Sequence, residues 1–288
     1  MPLTLPSHAK INLFLEILGK REDGFHAVRT LMLPISLADT LTIEDLPSPC
    51  IEIECSDSTL PTDGGNLIRR AAELLQQRHA PTRGARIHVQ KNIPIGAGLG
   101  GGSTNGSTTL RGLNQLWNLN LPDDALEKLA AEFGSDTAFF IRNKPALSEG
   151  RGEIITPVPF PASLPLLLMN FGFGSATAWA YKNLKLDAAK ARESNARIST
   201  FLSSLPNLKS ALPLHNDLET PVFRKFPILK LAKDFLSTHP SVTGAMMCGS
   251  GSTMMAILQS ERESDSLRDA ILQRFGNSVW VWTGHTLQ

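Results

Sequence analysis

Apolar and polar residues first mix in a strand-like way at Ile11-Asn12-Leu13-Phe14-Leu15-Glu16-Ile17-Leu18, and the turn signals Gly19 and Asp23-Gly24 follow. Further strand-like runs span Leu41 to Glu44 and Ile51 to Cys55. The period then changes. Asn66 stands as an N-cap before a segment in which Leu67, Ala71, Leu74 and Leu75 recur at helical spacing. Arg86 to Gln90 alternates as a strand, leads through Pro94 into a cluster of glycines, and is followed by a helical pattern carrying Leu110, Leu113, Leu116 and Trp117. A third helix is predicted from Pro122-Asp123-Asp124, whose acids favour the positive end of the helix dipole, to Gly134 as its C-cap. Prolines at 157, 159, 161 and 165 interrupt regular structure and mark a boundary between residues 1–156 and 157–288. Beyond it come a strand at Leu166 to Met169, a glycine-bearing turn at Phe171 to Ser175 and mixed helical segments. A Cys248-Gly249-Ser250-Gly251-Ser252 turn then feeds the apolar run Met254 to Leu258.

The chain has 288 residues, which at roughly 150 per domain agrees with two domains. With 28 Lys+Arg against 27 Asp+Glu, the net charge of +1 gives no general pull toward nucleic acid or an anionic membrane, so any anion site must be local. Cys50, Cys55 and Cys248 are odd in number and form no CxxC pair, which argues against a disulfide framework or a zinc knuckle and for a reducing compartment. The first residues hold no apolar signal core, and no apolar run approaches the ~20 residues that cross a bilayer; a cytoplasmic protein is expected.

The most informative stretch is Pro94-Ile95-Gly96-Ala97-Gly98-Leu99-Gly100-Gly101-Gly102-Ser103-Thr104-Asn105. Five glycines let backbone N–H groups crowd around an anion, and a helix starting just after them adds its positive end, so phosphate binding is expected. The alternative is a tight strand-to-helix turn with no ligand. A Walker A loop needs a lysine after the glycines and none is there; the protein-kinase set fails for want of H-R-D and D-F-G. Gly96, Gly98 and Gly101 formally satisfy G-x-G-x-x-G, which leaves a dinucleotide-binding reading open, although the site lies far inside the chain.

The whole string resembles the ATP-binding loop of the galactokinase, homoserine, mevalonate and phosphomevalonate kinase superfamily. Its Gly-Gly-Gly-Ser-Thr-Asn end resembles the Gly-Gly-Gly-Ser-Ser-Asn form of the branch that phosphorylates a cytidine diphosphate-linked methylerythritol. The likeness extends to Ala9-Lys10-Ile11-Asn12, Asp23-Gly24-Phe25-His26, Asn66-Leu67-Ile68, Phe133-Gly134-Ser135-Asp136, Glu149-Gly150-Arg151-Gly152-Glu153, Asn216-Asp217 and Gly249-Ser250-Gly251. The chain departs from the pattern in four places: His8 stands where proline is usual, Phe25 where tyrosine is, Thr104 where the second serine is, and Asp136-Thr137-Ala138 where Asp-Val-Pro is.

The resemblance implies a two-domain α+β superfamily kinase with its active site in the interdomain cleft, using ATP and Mg²⁺. The implied reaction is phosphorylation of the substrate's 2-hydroxyl in non-mevalonate isoprenoid synthesis. By the same resemblance Lys10 and Asp136 form the catalytic pair; Pro94 and the run Gly96, Ala97, Gly98, Leu99, Gly100, Gly101, Gly102, Ser103 and Thr104 cradle the phosphates. Ser103 or Thr104 would offer a hydroxyl to phosphate or to water around the metal, and Asn66 and Lys91 are candidates near the adenine. Asn12, Phe25 and His26 would read the substrate with Tyr181, Thr177 would lie near a phosphate or the polyol, and Gly249 and Ser250 would face the diphosphate. Taken alone, Lys10 also reads as a surface lysine before a strand and Asp136 as an N-cap for the next helix. Another superfamily kinase with a different small alcohol, or a non-catalytic relative, remains an alternative.

Overall fold

The computed structural model describes residues 1–61, 63–185, 197–203, 205 and 212–288. Two long strands, β1 (Leu3–Lys20) and β2 (His26–Leu46), pair antiparallel from Leu3 opposite Ile43 to Lys20 opposite His26. Both exceed the runs that alternation predicts. Leu31, Met32 and Leu33 are all fully buried, so this part of β2 is covered on both faces and its sequence does not alternate. The strand β3 (Ile51–Cys55) runs parallel to β4 (Gly84–Gln90), which pairs with β2; β5 (Ala146–Gly150) joins β2 farther along and carries β6 (Ile154–Pro157).

A second sheet has the order β11 (Trp280–His285), β7 (Pro165–Asn170), β10 (Met254–Leu258) and β9 (Val242–Met247), all antiparallel neighbours. The short β8 (His215–Asn216) crosses back to pair parallel with β1 at Phe14 and Leu15.

Strand alternation sets the layers. Leu166 and Leu168 of β7 face the first sheet, where they share a core with Ile11, Leu13, Leu33 and Ile35. Leu167 and Met169 face the other way, onto Leu218, Val222, Leu229 and Leu236 of the helices that follow. The outer face of the first sheet is closed by α1 (Leu67–His79), α2 (Gly101–Leu116) and α3 (Asp123–Ala130), packed on Leu41, Ile43, Ile87 and Val89. The outer helices of the second half are α6 (Glu219–Lys225), α7 (Pro227–Thr238) and α8 (Ser264–Phe275); between them in the chain order and the first group lie α4 (Phe139–Arg142) and α5 (Thr177–Lys182). The result is the α+β architecture expected, with four layers.

Helix boundaries differ in two informative places. The third helix stops at Ala130, not at Gly134. Gly134 has no left-handed cap geometry; a Cβ there would lie 2.6 Å from Thr137 Cγ2, so the glycine serves close approach inside the turn that carries Asp136. Helix α2 begins at Gly101 with Gly100 as N-cap, inside the glycine run instead of after it.

Candidate active site

A cleft of about 950 Å³ opens between the glycine run, β1 from Lys10 to Lys20, the turn at Gly24–His26 and the first helix of the second half. Lys10 and Asn12 project into it from β1 and are 3% and 1% exposed. Lys10 is therefore an interior residue of the strand and not a surface lysine preceding it. Its Nζ donates to Asn12 Oδ1 at 2.7 Å, Asn12 Nδ2 donates to Thr30 Oγ1 at 2.7 Å, and Thr30 Oγ1 donates to the Phe14 carbonyl at 2.7 Å. That relay orients the amine without neutralising it. Asp136 Oδ2 lies 3.7 Å from Lys10 Nζ, and its side chain stays 37% exposed toward the cleft.

Asp136 is not a helix cap: the N-cap of α4 is Ala138, and no side chain caps it. The turn bearing the carboxylate is fixed by others. Thr137 Oγ1 donates to Ala130 O at 2.6 Å, Ser107 Oγ donates to Thr137 O at 2.7 Å, and a Cβ on Gly152 would sit 2.9 Å from Ser135 O. Ala138 has φ −58°, the value a proline would impose, so the missing ring leaves the backbone in place. His8 in turn sits within β1 opposite Ala38, its Nδ1 3.1 Å from the Ile35 carbonyl.

The glycine run is stitched to the second half by its backbone. Ser175 N–H donates to Gly96 O and Thr253 N–H to Ala97 O, each at 3.2 Å, and a Cβ on Gly98 would lie only 2.0 Å from Cys248 O. Gly96, Gly98 and Gly100 have φ of +63°, +78° and +73°. Pro94, Ile95 and Gly96 to Ser103 all line the cleft. Thr104 does not: it is buried at 2% and its hydroxyl accepts from Ser7 Oγ at 3.1 Å, because the helix has already begun and turns it into the core. Of the two hydroxyls expected near phosphate, only that of Ser103 borders the cleft.

Asn66 caps α1, its Oδ1 accepting from Ile68 N at 2.9 Å while its Nδ2 donates to Pro61 O; it borders the cleft beside Leu60 and Pro61. Lys91 also borders the cleft, yet its amine is taken up by an ion pair to Asp39 and a 3.2 Å hydrogen bond to Asn105 Oδ1 beside the first turn of α2. Asp39, fully buried, also accepts from the backbone of Asn92 and Ile93 and from Asn105 Nδ2.

At the opposite end the Phe25 ring is 48% exposed, with the Arg151 guanidinium 5.2 Å from its centroid. His26 packs on Tyr181 of α5, ring centroids 5.2 Å apart and tilted by 36°. Burial, and secondarily the Lys20 charge, hold the His26 imidazole below its ordinary value of 6.5; burial, and secondarily the Asp136 charge, raise the Tyr181 phenol. Thr177 Oγ1 and Ser250 Oγ are 2.8 Å apart, beside Gly249. Except for Thr104, then, every residue singled out from the sequence borders one cleft. Asp39, Thr30, Arg151, Lys20 and Ser175 were not singled out; Arg151 lay within a quoted motif, whereas Asp39 sits in a strand with nothing local to mark it.

Residues 66–144 match the GHMP kinases N terminal domain and residues 196–278 the GHMP kinases C terminal domain. A 4-diphosphocytidyl-2-C-methyl-D-erythritol kinase of Pelobacter propionicus is 36% identical over 274 residues, covering 95% of this chain and 96% of that protein. The enzyme of the same name from Citrifermentans bemidjiense is 38% identical over 259 residues, with 90% of each chain covered. The chain belongs to this kinase family, within the GHMP kinases. A crystal structure of 4-(cytidine 5'-diphospho)-2C-methyl-D-erythritol kinase superposes with a TM-score of 0.80 at 30% identity, over 99% of this chain and 100% of that one. GHMP membership makes the protein an ATP-dependent phosphotransferase that acts on a small molecule, and excludes the dinucleotide reading of the glycines. Among the described residues no helix is long and apolar enough to cross a membrane.

Proposed function

We propose that the protein transfers the γ-phosphoryl group of ATP to the 2-hydroxyl of 4-diphosphocytidyl-2-C-methyl-D-erythritol. The observation that carries this reading is the Lys10–Asp136 pair, 3.7 Å apart, in a cleft with a backbone-built anion cradle at one end and Phe25, His26 and Tyr181 at the other. Phosphoryl transfer asks a protein mainly for positioning and for stabilisation of charge. The glycine run from Gly96, with Ser103 at the first turn of α2, holds the phosphates by N–H groups and the helix's positive end. Asp136 orients the acceptor hydroxyl and takes its proton as the O–P bond forms; Lys10, steadied by Asn12, draws the hydroxyl oxygen close and screens the charge that develops.

Mg²⁺ fits this donor set. It keeps several waters and binds through phosphates with only one or two protein groups. Among the described residues no three carboxylate, histidine or cysteine side chains gather into a cage, while the Ser103 hydroxyl and the Asp136 carboxylate border the cleft. Ser103 would hold the ion, directly or through one of its waters, and the ion when bound neutralises phosphate charge.

The cytosine end works by stacking and edge contacts. Phe25 keeps a ring but lacks a phenol oxygen, so it stacks without donating. The neutral His26 ring supplies one donor and one acceptor for the base edge, and Tyr181 closes the other side. Thr177, Gly249 and Ser250 meet the diphosphate and polyol. The working division assigns nucleotide binding and catalysis to residues 1–156 and substrate binding to 157–288, with Asn12, Phe25 and His26 reaching across. The test is incubation of the purified chain with ATP, Mg²⁺ and the cytidine diphosphate-linked polyol, with ³¹P NMR of the product; homoserine, mevalonate and galactose serve as competing acceptors. A new 2-phosphate signal is expected, and turnover of another alcohol in its place would overturn the substrate assignment.

A further inference from the structure

Ser175 is one of the polar residues lining the cleft that neither the motifs nor the proposed reaction uses. It lies in the turn between β7 and α5, is 6% exposed, and borders the cleft. Its hydroxyl oxygen is sequestered and has no hydrogen-bond partner among the described residues. Its backbone is by contrast firmly tied, the N–H donating to Gly96 O at 3.2 Å, with Gly174 so close that a Cβ there would lie 3.0 Å from the same oxygen. The neighbouring hydroxyls are occupied: Thr177 and Ser250 bond each other, and Ser252 Oγ bonds Phe173 O and receives Asn170 Nδ2.

Buried hydroxyls in folded proteins are almost always hydrogen-bonded, and a serine carries one donor and two acceptor positions. A buried hydroxyl on a residue whose backbone is bonded to the glycine run, left without a protein partner, matches an acceptor that arrives with a ligand. Phosphate oxygens are the strongest acceptors the reaction brings to the cleft. We infer that the Ser175 hydroxyl donates to a phosphate oxygen of a bound ligand, extending the anion cradle of the glycine run onto the second half of the chain. The inference rests on the proposed reaction only for the identity of the second ligand. Two phosphate sources enter the cleft, ATP and the diphosphate of the cytidine substrate, and the bond from Ser175 N–H to Gly96 favours ATP. One residue would then grip both the loop and the nucleotide, linking ATP binding to the position of the second sheet.

The experiment compares Ser175→Ala and Ser175→Cys with the parent chain. Calorimetry measures affinity for ATP without acceptor and for the cytidine diphosphate-linked polyol without ATP, and melting is followed without ligand. Alanine removes a buried hydroxyl that the protein does not satisfy, so the ligand-free melting temperature should hold or rise. ATP affinity should fall about tenfold or more in both variants, the worth of a hydrogen bond to a charged group, with affinity for the polyol unchanged. Loss confined to the polyol would keep the hydroxyl–phosphate contact and assign it to the substrate. Affinities for both ligands within twofold of the parent, or a lowered ligand-free melting temperature in both variants, would overturn the inference. Failure of the parent chain to phosphorylate the polyol would overturn the proposed reaction and leave the ATP arm readable.

Discussion

The two ends of the cleft are built from opposite materials. At the glycine run, the phosphate site of the proposed reaction, the backbone shapes the surface: three residues have left-handed φ, the loop carbonyls are bonded to the second half, and Gly98 leaves no room for a Cβ beside Cys248. At the aromatic end the backbone is a turn, a strand start and a helix, and on the proposed reading recognition falls to the side chains they carry, Phe25, His26 and Tyr181, one of them half exposed. A backbone-built end tolerates almost no side chain and reads charge. A side-chain-built end can be altered without refolding the chain and reads shape and hydrogen-bond pattern. Phosphate, common to every kinase of this fold, needs only the first; choice of acceptor needs the second.

The largest effect is expected where the two ends meet. Asp136→Asn keeps size but removes the proton acceptor, so kcat should fall by about 10²–10⁴-fold while ATP affinity and folding persist. A kcat within a few-fold of the parent would remove Asp136 from the reaction.

Next come two glycines that separate fold from function. Gly98→Ala puts a Cβ 2.0 Å from Cys248 O at φ +78°, and should destabilise by more than the roughly 1–3 kcal/mol of positive-φ strain alone. At Gly102→Val the added Cβ meets nothing nearer than Leu67 Cδ1 at 3.9 Å, yet the residue faces the cleft. It should melt close to the parent temperature while binding ATP about tenfold or more weakly, with polyol affinity retained. Equal ATP affinity in the folded valine variant would contradict a backbone-built phosphate site.

A smaller effect is expected at the other end. His26→Ala should cost on the order of 1–3 kcal/mol in kcat/KM for the cytidine substrate and leave ATP binding alone. Steady-state kinetics with saturating ATP measure it, and an unchanged kcat/KM would remove His26 from base recognition.

The smallest effect is a pH dependence. Burial, aided by Lys20, holds His26 below 6.5, so the ring is neutral above that value and gains a second N–H, losing its acceptor, as pH falls through the lowered value. The kcat/KM profile should drop on its acid side with a midpoint below 6.5. The unfolded chain takes up this proton first, so His26 also subtracts stability as pH falls from 6.5 through its folded value. His26→Gln should flatten the acid limb; a limb that persists belongs to another group.

The helix at Leu67–His79 was legible because it has a single period and a local cap, Asn66, which accepts from Ile68 N as its type suggests; the strand Met254–Leu258 was legible because its apolar run is short and follows directly on a glycine-serine turn. β2 was not, since burial on both faces erases alternation. The start of α2 was misplaced by the very glycines that mark it: a residue type fit for loops also permits the first turn of a helix. Rotating that start by a few residues decides which hydroxyl faces the cleft, and Thr104 went inward for this reason.

By itself the sequence determined the element types, the glycine run, and the short motifs holding Lys10, His26 and Asp136, all of which depend on neighbours a few residues away. Only the tertiary structure decided how the motifs meet. The distance between Lys10 and Asp136, the closure of His26 on Tyr181, the grip of Asp39 on Lys91 and Asn105, and the unpartnered hydroxyl of Ser175 are set by strand register and sheet packing. Contacts that join residues far apart in the chain leave no period or spacing behind, because the chain between them is free to vary so long as the packed layers hold their ends together.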